Sequence, residues 1–381
     1  MNFSWSDDQI ELKNAAINFA RNELQDDIIS RDKTEAFSRQ LWNKCAKFGI
    51  QGLPFPKKYG GQATDPLTTI LIMEGLGEAC KDNGLLFGIN AQMWSVQMPI
   101  LNFGSEMQKG KYLTAMCLGD LIGAHGMSEP GAGSDAFSLR TTAQKVENGY
   151  VINGSKTFVS NAPHADFFLV FANTNPKFGF MGITGFLVDK NSRGLSIGKT
   201  IDKMGLRTAP MAELFFEDCY VPAENRLGSE GNGAAIFTDS MEWERSCILA
   251  YYIGSMERQL KECINYANTR RQFNNPIGKY QSVANKIVEM KIRLETARLM
   301  LYKTIWDRQS KNDSHIESAI TKVYLSESWV KSCLDAIQIH GGYGYMTEYE
   351  IERDLRDAIS GTLYSGTSEI QRNIIAKGLG L

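Results

Sequence analysis

The sequence predicts an α+β protein in which two helical regions flank a compact β region. Apolar residues recur at helical spacing up to about residue 118, and short β-rich runs separated by turn residues follow. Long helical segments fill the remainder. We therefore expect three units, an N-terminal helical domain at 1–118, a middle β domain at 119–228 and a C-terminal domain at 229–381. The helices of the last unit are long enough for a four-helix bundle.

The N-terminal unit is predicted to contain several helices. Ser6 and the two aspartates after it form a capping pattern ahead of an apolar face. Prolines and the pair Gly60-Gly61 interrupt the helical pattern, which resumes near Pro66. A further helix is expected from about Glu106 to Leu118.

The middle unit carries an Asn-Gly pair between two β-prone runs. Asn153-Gly154 lies between Tyr150–Ile152 and Lys156–Val159, and both of its residues tolerate a positive φ. This pattern predicts a hairpin that turns at Asn153-Gly154. Further strands are expected at 167–171, 185–188 and 213–216.

The C-terminal unit is predicted to be helical almost throughout. The expected helices lie near 234–269, 280–310, 314–340 and 347–357, with a last helix from Thr367.

Composition excludes several classes of protein. Lys plus Arg is 41 against 43 for Asp plus Glu, which gives a net charge of −2. The chain therefore lacks the excess of basic residues that is typical of proteins that bind nucleic acid or an anionic membrane. No apolar run approaches the roughly 20 residues of a membrane span, and the first residues lack a secretion signal. The seven cysteines are scattered without metal-ligand spacing. We expect a cytoplasmic protein with reduced thiols and no metal.

A glycine-rich segment opens the β unit, from His125 to Asp135. Its glycines allow the backbone to approach a flat or anionic group closely. A loop without a binding function would have the same composition. Aromatic and hydroxyl residues follow at Phe158 and Ser160, at the end of the predicted hairpin.

Two segments of the C-terminal unit suit a phosphate-containing ligand. Arg270 to Phe273 supplies a guanidinium fork, and Gln338 to Gly342 supplies backbone N–H donors through its glycine pair. An exposed helix end and a turn between helices would explain either segment alone.

Glu244 is predicted to lie in an apolar helix stripe with Phe237, Met241, Ile248 and Tyr251. Burying a carboxylate without a partner destabilises a fold by on the order of several kcal/mol, so such residues are uncommon in protein cores. One interpretation is a structural ion pair with a basic residue of another helix. The other is a carboxylate that is desolvated so that its pKa rises and it becomes a stronger base.

These motifs occur in one order and end in Tyr364-Ser365-Gly366-Thr367-Ser368-Glu369, and together they resemble the acyl-CoA dehydrogenase family. The resemblance covers essentially the whole chain. It implies the three-domain fold of that family, bound FAD, assembly as a homotetramer, and removal of an α-proton coupled to hydride transfer to the flavin.

The resemblance also assigns site residues. The implied cofactor-binding residues are Met127, Ser128, Gly133, Ser134, Phe158, Ser160, Arg270, Phe273, Gln281, Gln338, Gly341, Gly342, Thr367 and Glu369. The implied substrate-binding residues are Ser134, Arg245, Tyr364 and Ser365. The Arg270 and Gly341 segments would serve the cofactor of a neighbouring subunit.

Ser365 stands where most family members carry the glutamate that removes the substrate proton. A hydroxyl cannot act as a base near neutral pH. Glu244 matches the alternative base position of isovaleryl-type members, so the resemblance implies that Glu244 is the catalytic residue. The backbone N–H of Ser365 would still bind the thioester carbonyl.

Shorter motifs, among them Asn161-Ala162-Pro163 and Trp243-Glu244, resemble family members that oxidise L-proline held as a thioester on a carrier protein. The implied function is an FAD-dependent dehydrogenase or oxidase of such a thioester in natural-product biosynthesis. One alternative is an isovaleryl-type dehydrogenase of short branched-chain acyl-CoA, and another is a non-catalytic flavin-binding scaffold. The implied partners are a peptidyl carrier protein or a CoA thioester, with electron-transfer flavoprotein or O₂ as acceptor.

Overall fold

The computed structural model describes residues 4–310 and 315–381. Eight α-helices make up the N-terminal part of this structure. They are α1 (Asp7–Glu23), α2 (Ile28–Thr34), α3 (Arg39–Phe48), α4 (Pro66–Ala79), α5 (Asn83–Gln92), α6 (Met98–Phe103), α7 (Glu106–Gln108) and α8 (Thr114–Leu118). Short π-helical segments continue α5 into α6 and α7 into α8.

Local sequence signals explain where these helices begin. Ser6 accepts a hydrogen bond from the N–H of Gln9, whose side chain bonds back to Ser6 and completes a capping box. Asp65 caps α4, which has Pro66 in its first turn. The predicted starts near Ser6 and Pro66, and the predicted helical stretch from Glu106 to Leu118, are confirmed.

The middle part is a β-sheet of eight strands. They are β1 (Gly123–Gly126), β2 (Thr142–Val146), β3 (Gly149–Ser160), β4 (Phe167–Asn173), β5 (Ile183–Asp189), β6 (Leu195–Ile197), β7 (Met211–Pro222) and β8 (Arg226–Leu227). The strand order is β6-β7-β3-β2-β4-β5-β8, and β1 pairs with β4 in parallel. The three strands expected at 167–171, 185–188 and 213–216 are confirmed.

The predicted hairpin turn at Asn153-Gly154 is wrong. Strand β3 runs through this pair, and its register with β7 shifts there, as in a β-bulge. The chain turns earlier, between Val146 and Gly149, where Asn148 has a φ of 60°. Asn153 exchanges hydrogen bonds with Asp218 of β7, a long-range contact that local sequence does not reveal.

The C-terminal part consists of α9 (Gly233–Cys247), α10 (Ala250–Thr269), α11 (Gln281–Gln309), α12 (His315–His340), α13 (Ile351–Ser360) and α14 (Ser368–Gly378), with the two short strands β9 (Arg271–Gln272) and β10 (Asn275–Pro276). The single helix expected at 234–269 is two helices, because the chain turns at Ile248 and Leu249. Helices α10, α11 and α12 pack against one another, and α9 packs against α11 and α12, in agreement with the predicted bundle.

Helix α4 of the N-terminal part packs closely on α10. A Cβ at Gly77 would lie 2.0 Å from the carbonyl oxygen of Tyr251, and a Cβ at Gly254 would lie 1.9 Å from that of Glu74. Only glycine permits two helix backbones to approach so closely. This contact fixes the start of α10, and hence the end of α9, against the N-terminal helices.

None of the helices in the described part of the chain combines the length and apolar character needed to cross a membrane.

Candidate active site

Glu244 lies near the end of α9 and is buried, with 9% of its surface exposed. Its Oε1 accepts a hydrogen bond of 2.6 Å from the hydroxyl of Ser365. Its Oε2 is also buried and has no hydrogen-bond partner within the described residues. The two sequence-predicted residues, from α9 and from the turn before α14, therefore meet.

Burial raises the pKa of Glu244 to about 7. The hydrogen bond from Ser365 and the positive charges of Arg245 and Lys322 oppose this rise. Among residues 4–310 and 315–381, Glu244 forms no ion pair, so the structural interpretation of this carboxylate is not supported. A carboxylate with a pKa near neutrality is a stronger base than an ordinary glutamate and is still substantially ionised at pH 7.

The turn that carries Ser365 has an unusual backbone. Ser365 has a φ of 55° and Gly366 a φ of 91°, both in the left-handed region. Gln371 Nε2 donates to both carbonyl oxygens at 3.0 Å, Arg245 Nε donates to that of Ser365 at 3.4 Å, and Lys322 Nζ donates to that of Gly366 at 2.7 Å. The N–H of Ser365 donates to no acceptor in the described part of the chain.

Arg245 and Tyr364 lie beside this turn. Arg245 is half-buried, its Nη1 has no partner among the described residues, and burial lowers its pKa. The hydroxyl of Tyr364 donates to that of Tyr252 at 2.7 Å, and its ring contacts Phe87. Burial raises the pKa of Tyr364, so this hydroxyl stays protonated.

An aromatic cluster connects α9 with the β-sheet. Phe237 lies two helical turns before Glu244 and contacts the rings of His125, Phe137 and Phe171. Burial lowers the pKa of His125 to about 4, so its imidazole is neutral. Phe237, the first residue of the predicted apolar stripe, therefore packs at the start of the glycine-rich segment, whereas the stripe's last residue, Tyr251, lies on α10.

A buried ion pair fixes the glycine-rich segment to strand β3. Lys156 Nζ lies 2.7 Å from Glu129 Oε1 and also donates to the carbonyl of Met127 at 3.1 Å. Glu129 further accepts hydrogen bonds from the backbone N–H groups of Arg140 and Thr141. This pair was not predicted, although a lysine among apolar strand residues and a glutamate in a glycine-rich loop were the available signals.

The ion pair brings Met127 and Ser128 next to the end of β3. The carbonyl of Ser128 accepts a hydrogen bond from the N–H of Thr157, beside Phe158 and Ser160. Phe158 has a φ of 56° and is 64% exposed, so its ring is presented outward. The structure thus brings these four sequence-predicted residues together.

The tip of the glycine-rich segment is open. Gly133 and Ser134 are exposed, and a Cβ at Gly133 would meet no atom within 4 Å.

A second group of predicted residues gathers at the other end of α10 and α12. The guanidinium of Arg270 lies 5.4 Å from the ring centroid of Tyr343, which joins the two predicted segments. The exposed members of this group are Arg270, Phe273, Gln281, Gln338, Gly341 and Gly342. At about 1.5 Å per residue, Gln338 lies about 24 Å along α12 from Lys322. Within one chain, this group is therefore far from Glu244.

Thr367 and Glu369 mark the start of α14. The side chain of Thr367 accepts a hydrogen bond from the N–H of Ile370 and caps the helix. Glu369 is exposed in the first turn, where hydrogen bonds from its own N–H and from Thr367 lower its pKa. Within the described residues, no group of three or more His, Cys, Asp or Glu side chains is placed to hold a metal ion.

Family models match the chain along nearly its full length. The N-terminal, middle and C-terminal domain models of acyl-CoA dehydrogenase match residues 6–120, 124–219 and 231–380. The chain belongs to the acyl-CoA dehydrogenase family. The family and three-part fold expected from the motifs are thereby confirmed.

Individual relatives within the acyl-CoA dehydrogenase family are similar over whole chains. An L-prolyl-[peptidyl-carrier protein] dehydrogenase of Serratia sp. is 41% identical, covering 100% of this chain and 99% of its own. The mitochondrial isovaleryl-CoA dehydrogenase of Arabidopsis thaliana is 33% identical, covering 98% and 92%.

Solved acyl-CoA dehydrogenase folds agree with this comparison. The prolyl acyl carrier protein oxidase AnaB is 52% identical with a TM-score of 0.98, covering 99% of this chain and 100% of its own. PigA with FAD and proline is 40% identical with a TM-score of 0.98, covering 100% of both chains.

Proposed function

We propose that the protein is an FAD-dependent dehydrogenase or oxidase that acts on an L-prolyl thioester held by a carrier protein, in natural-product biosynthesis. The observation that carries this proposal is the contact between Glu244 and Ser365. It places a buried carboxylate with a raised pKa beside the turn on which most family members carry their base. The relatives named for prolyl-carrier-protein oxidation support the choice of substrate.

Glu244 removes the α-proton of the thioester in this proposal. Oε1 is occupied by the hydroxyl of Ser365, whereas the buried Oε2 is free to accept a proton. Because the pKa of Glu244 is raised to about 7, the carboxylate is a strong enough base without being fully protonated at neutral pH.

Ser365 binds the thioester carbonyl through its backbone N–H. That N–H has no acceptor in the described part of the chain, and it belongs to a turn whose carbonyl oxygens accept from Gln371. A donor aimed at the oxygen on which negative charge develops stabilises the transition state. Arg245 Nη1, buried and unpartnered, is a second donor for the substrate, and Ser134 and Tyr364 complete the proposed substrate site.

The residues present fit FAD. Phe158 and Phe273 expose their rings, and Gly133, Gly341 and Gly342 leave open space where a Cβ would stand. When bound, FAD supplies the hydride acceptor. The proposed contacts to it are those of Met127, Ser128, Gly133, Ser134, Phe158, Ser160, Arg270, Phe273, Gln281, Gln338, Gly341, Gly342, Thr367 and Glu369.

We propose a homotetramer in which the Arg270 group serves the cofactor of a neighbouring subunit. The distance of about 24 Å between this group and the Glu244 end of α12 supports such sharing. The surface of the group also suits a ligand from outside the chain, since Phe273 is 87% exposed.

Ser365 also favours a substrate that is branched at its α-carbon. A serine occupies less volume than the usual glutamate, so a pyrrolidine ring has room beside Glu244. Isovaleryl-CoA is the competing substrate, and the similarity to the plant isovaleryl-CoA dehydrogenase supports it. A non-catalytic scaffold is disfavoured, because an idle, unpaired and buried carboxylate would only destabilise the fold.

Three further proposals accompany the function. The domain boundaries lie near residues 118 and 228, where α8 and β8 end. The protein acts in the cytoplasm, which its seven free and buried cysteines support. The electron acceptor is electron-transfer flavoprotein or O₂.

Anaerobic mixing of the FAD-loaded protein with candidate thioesters tests the proposal. Prolyl-carrier protein should bleach the flavin absorbance rapidly, and free L-proline should not, because a carboxylate does not acidify the α-hydrogen. Bleaching by isovaleryl-CoA with no response to prolyl-carrier protein would favour the competing substrate. No response to any thioester would support the scaffold.

A further inference from the structure

The turn that carries Ser365 is supported by a buried lysine that the proposed chemistry does not use. Lys322 of α12 is fully buried, and its Nζ donates to the carbonyl oxygen of Gly366 at 2.7 Å. In the described residues Lys322 forms no ion pair. Burial of an ammonium group without a counter-ion is costly. The carbonyl of Gly366 accepts a hydrogen bond from this buried group, which ties Lys322 to the turn.

The backbone of the turn needs such support. A non-glycine residue in the left-handed region costs about 1–2 kcal/mol, and Ser365 adopts it immediately before Gly366, which is also left-handed. Hydrogen bonds to its carbonyl oxygens can hold such a turn in place. The donors from Lys322, Gln371 and Arg245 bind the carbonyl oxygens of Ser365 and Gly366. They hold the two peptide groups that follow Ser365 and so restrict the backbone from which the N–H of Ser365 projects.

We propose that Lys322 is a positioning residue that acts through the carbonyl of Gly366. By holding this carbonyl, Lys322 orients the turn so that the hydroxyl of Ser365 reaches Glu244 and the N–H of Ser365 faces the substrate carbonyl. The proposal rests on the function proposed above for Glu244 and Ser365, and it adds a residue from a third helix to that site.

Burial lowers the pKa of Lys322 to about 7, so the ammonium charge that stabilises the ionised form of Glu244 is present mainly below neutral pH. The charged groups that act on Glu244 are Arg245 and Lys322, and those that act on Lys322 are Arg245, Glu369, Glu327 and Glu244. Removal of the lysine leaves Arg245 as the remaining positive charge near Glu244. The deprotonated form of Glu244 is then less stabilised, and its pKa moves further upward.

Lys322→Met tests the proposal, since methionine keeps most of the buried volume and removes both the donor and the charge. The maximal rate of flavin reduction by prolyl-carrier protein should fall about tenfold to a hundredfold, as expected for a small misplacement of reacting groups, whereas KM should change less. The rising limb of the pH–rate profile should move to higher pH. Amide hydrogen exchange at Tyr364 and Ser368, whose N–H groups are hydrogen-bonded at the two ends of the turn, should quicken in the FAD-loaded and FAD-free protein alike.

Two further variants sharpen the test. Lys331→Met removes an exposed lysine of the same helix and should match the wild type in every readout. Lys322→Gln keeps a donor without the charge, so it should recover part of the rate lost in Lys322→Met and still show the shifted pH limb. If Lys322→Met does not fold, Lys322→Gln decides by the same readouts.

The outcomes separate this proposal from the function on which it rests. Wild-type rate, pH profile and hydrogen exchange in Lys322→Met would overturn the positioning role. Lower thermal stability with an unshifted pH limb and unchanged exchange in the turn would show a merely structural lysine and would also overturn it. If no thioester reduces the wild-type protein, the proposed function is wrong. The hydrogen-exchange measurement then still shows whether Lys322 holds the turn that carries Ser365.

Discussion

The hydroxyl of Ser365 donates a hydrogen bond of 2.6 Å to Oε1 of Glu244. Ser365 stands at the position of the usual family base, and it contacts Glu244, the carboxylate that we propose as the base of this protein. Because a donated hydrogen bond favours the ionised form, Ser365 limits the rise in the pKa of Glu244 that burial causes. The sequence had suggested a backbone donor and a small side chain at Ser365, and the structure adds a hydrogen bond from its hydroxyl to Glu244.

Ser365→Ala should shift the pH dependence of the reaction. Without the hydroxyl, the pKa of Glu244 rises above about 7, so the rate at pH 7 falls and recovers at higher pH. Stopped-flow measurement of flavin reduction between pH 6 and 9 checks this. Ser365→Gly removes the same hydroxyl while relaxing the left-handed backbone, and it should shift the limb equally. A profile unchanged in both variants would mean that the hydrogen bond does not tune the base.

Glu244→Gln should make protein stability less dependent on pH. The folded-state pKa of Glu244 lies above its usual value, so its favourable contribution is present at low pH and is lost as pH rises from about 4.5 through about 7. Glutamine carries no charge at either extreme. The variant should melt near the wild-type temperature at pH 4.5 and above it at pH 8. A higher wild-type melting temperature at pH 8 would indicate that the ionised carboxylate is stabilised in the fold.

Arg270→Gln should weaken FAD retention. Loss of a charge-assisted hydrogen bond to phosphate costs about 1.5–3 kcal/mol, which corresponds to roughly a tenfold to hundredfold weaker affinity. Titration of the FAD-free protein measures the change, and Lys279→Gln, at an exposed site in the same segment, is the control. Equal affinities of Arg270→Gln and the control would remove Arg270 from the proposed FAD site.

Lys156→Met should destabilise the middle domain. Removing one partner of a buried ion pair costs about 3–5 kcal/mol, because the carboxylate of Glu129 stays buried with less compensation. Lys145→Met, on the neighbouring strand β2, breaks an exposed pair with Glu230 and should cost under about 1 kcal/mol. Denaturant unfolding measures the loss in free energy of unfolding for each variant. Similar losses would show that the buried pair has no special role in holding the glycine-rich segment.

Local signals predicted much of the fold, and long-range contacts account for what they missed. Capping at Ser6 and the proline at Pro66 marked helix starts that the structure retains. Asn153-Gly154 satisfied the local rule for a turn, but pairing of β3 with β7 on one side made it a bulge. The apolar spacing around Glu244 continued smoothly through Ile248, so it gave no sign of the break between α9 and α10.

In the candidate site, too, local sequence signals predicted individual residues but not the contacts between distant segments. Glu244 was identifiable because a carboxylate interrupts an apolar stripe, and its burial follows from that pattern. Its contact with Ser365, more than a hundred residues away, depends on how α9 meets the turn before α14. The support from Lys322 depends on a third helix. No periodicity within one segment encodes such contacts.

The central claim is that Glu244 is the base, and the rate of flavin reduction in Glu244→Gln tests it most directly. Glutamine preserves the side-chain volume and can still accept the hydrogen bond from Ser365, so FAD binding and the flavin spectrum should be unchanged. With prolyl-carrier protein under anaerobic conditions, the first-order rate of bleaching should fall by roughly 10²–10⁴-fold, the contribution of a positioned general base. Bleaching at the wild-type rate would contradict the account and require another proton acceptor.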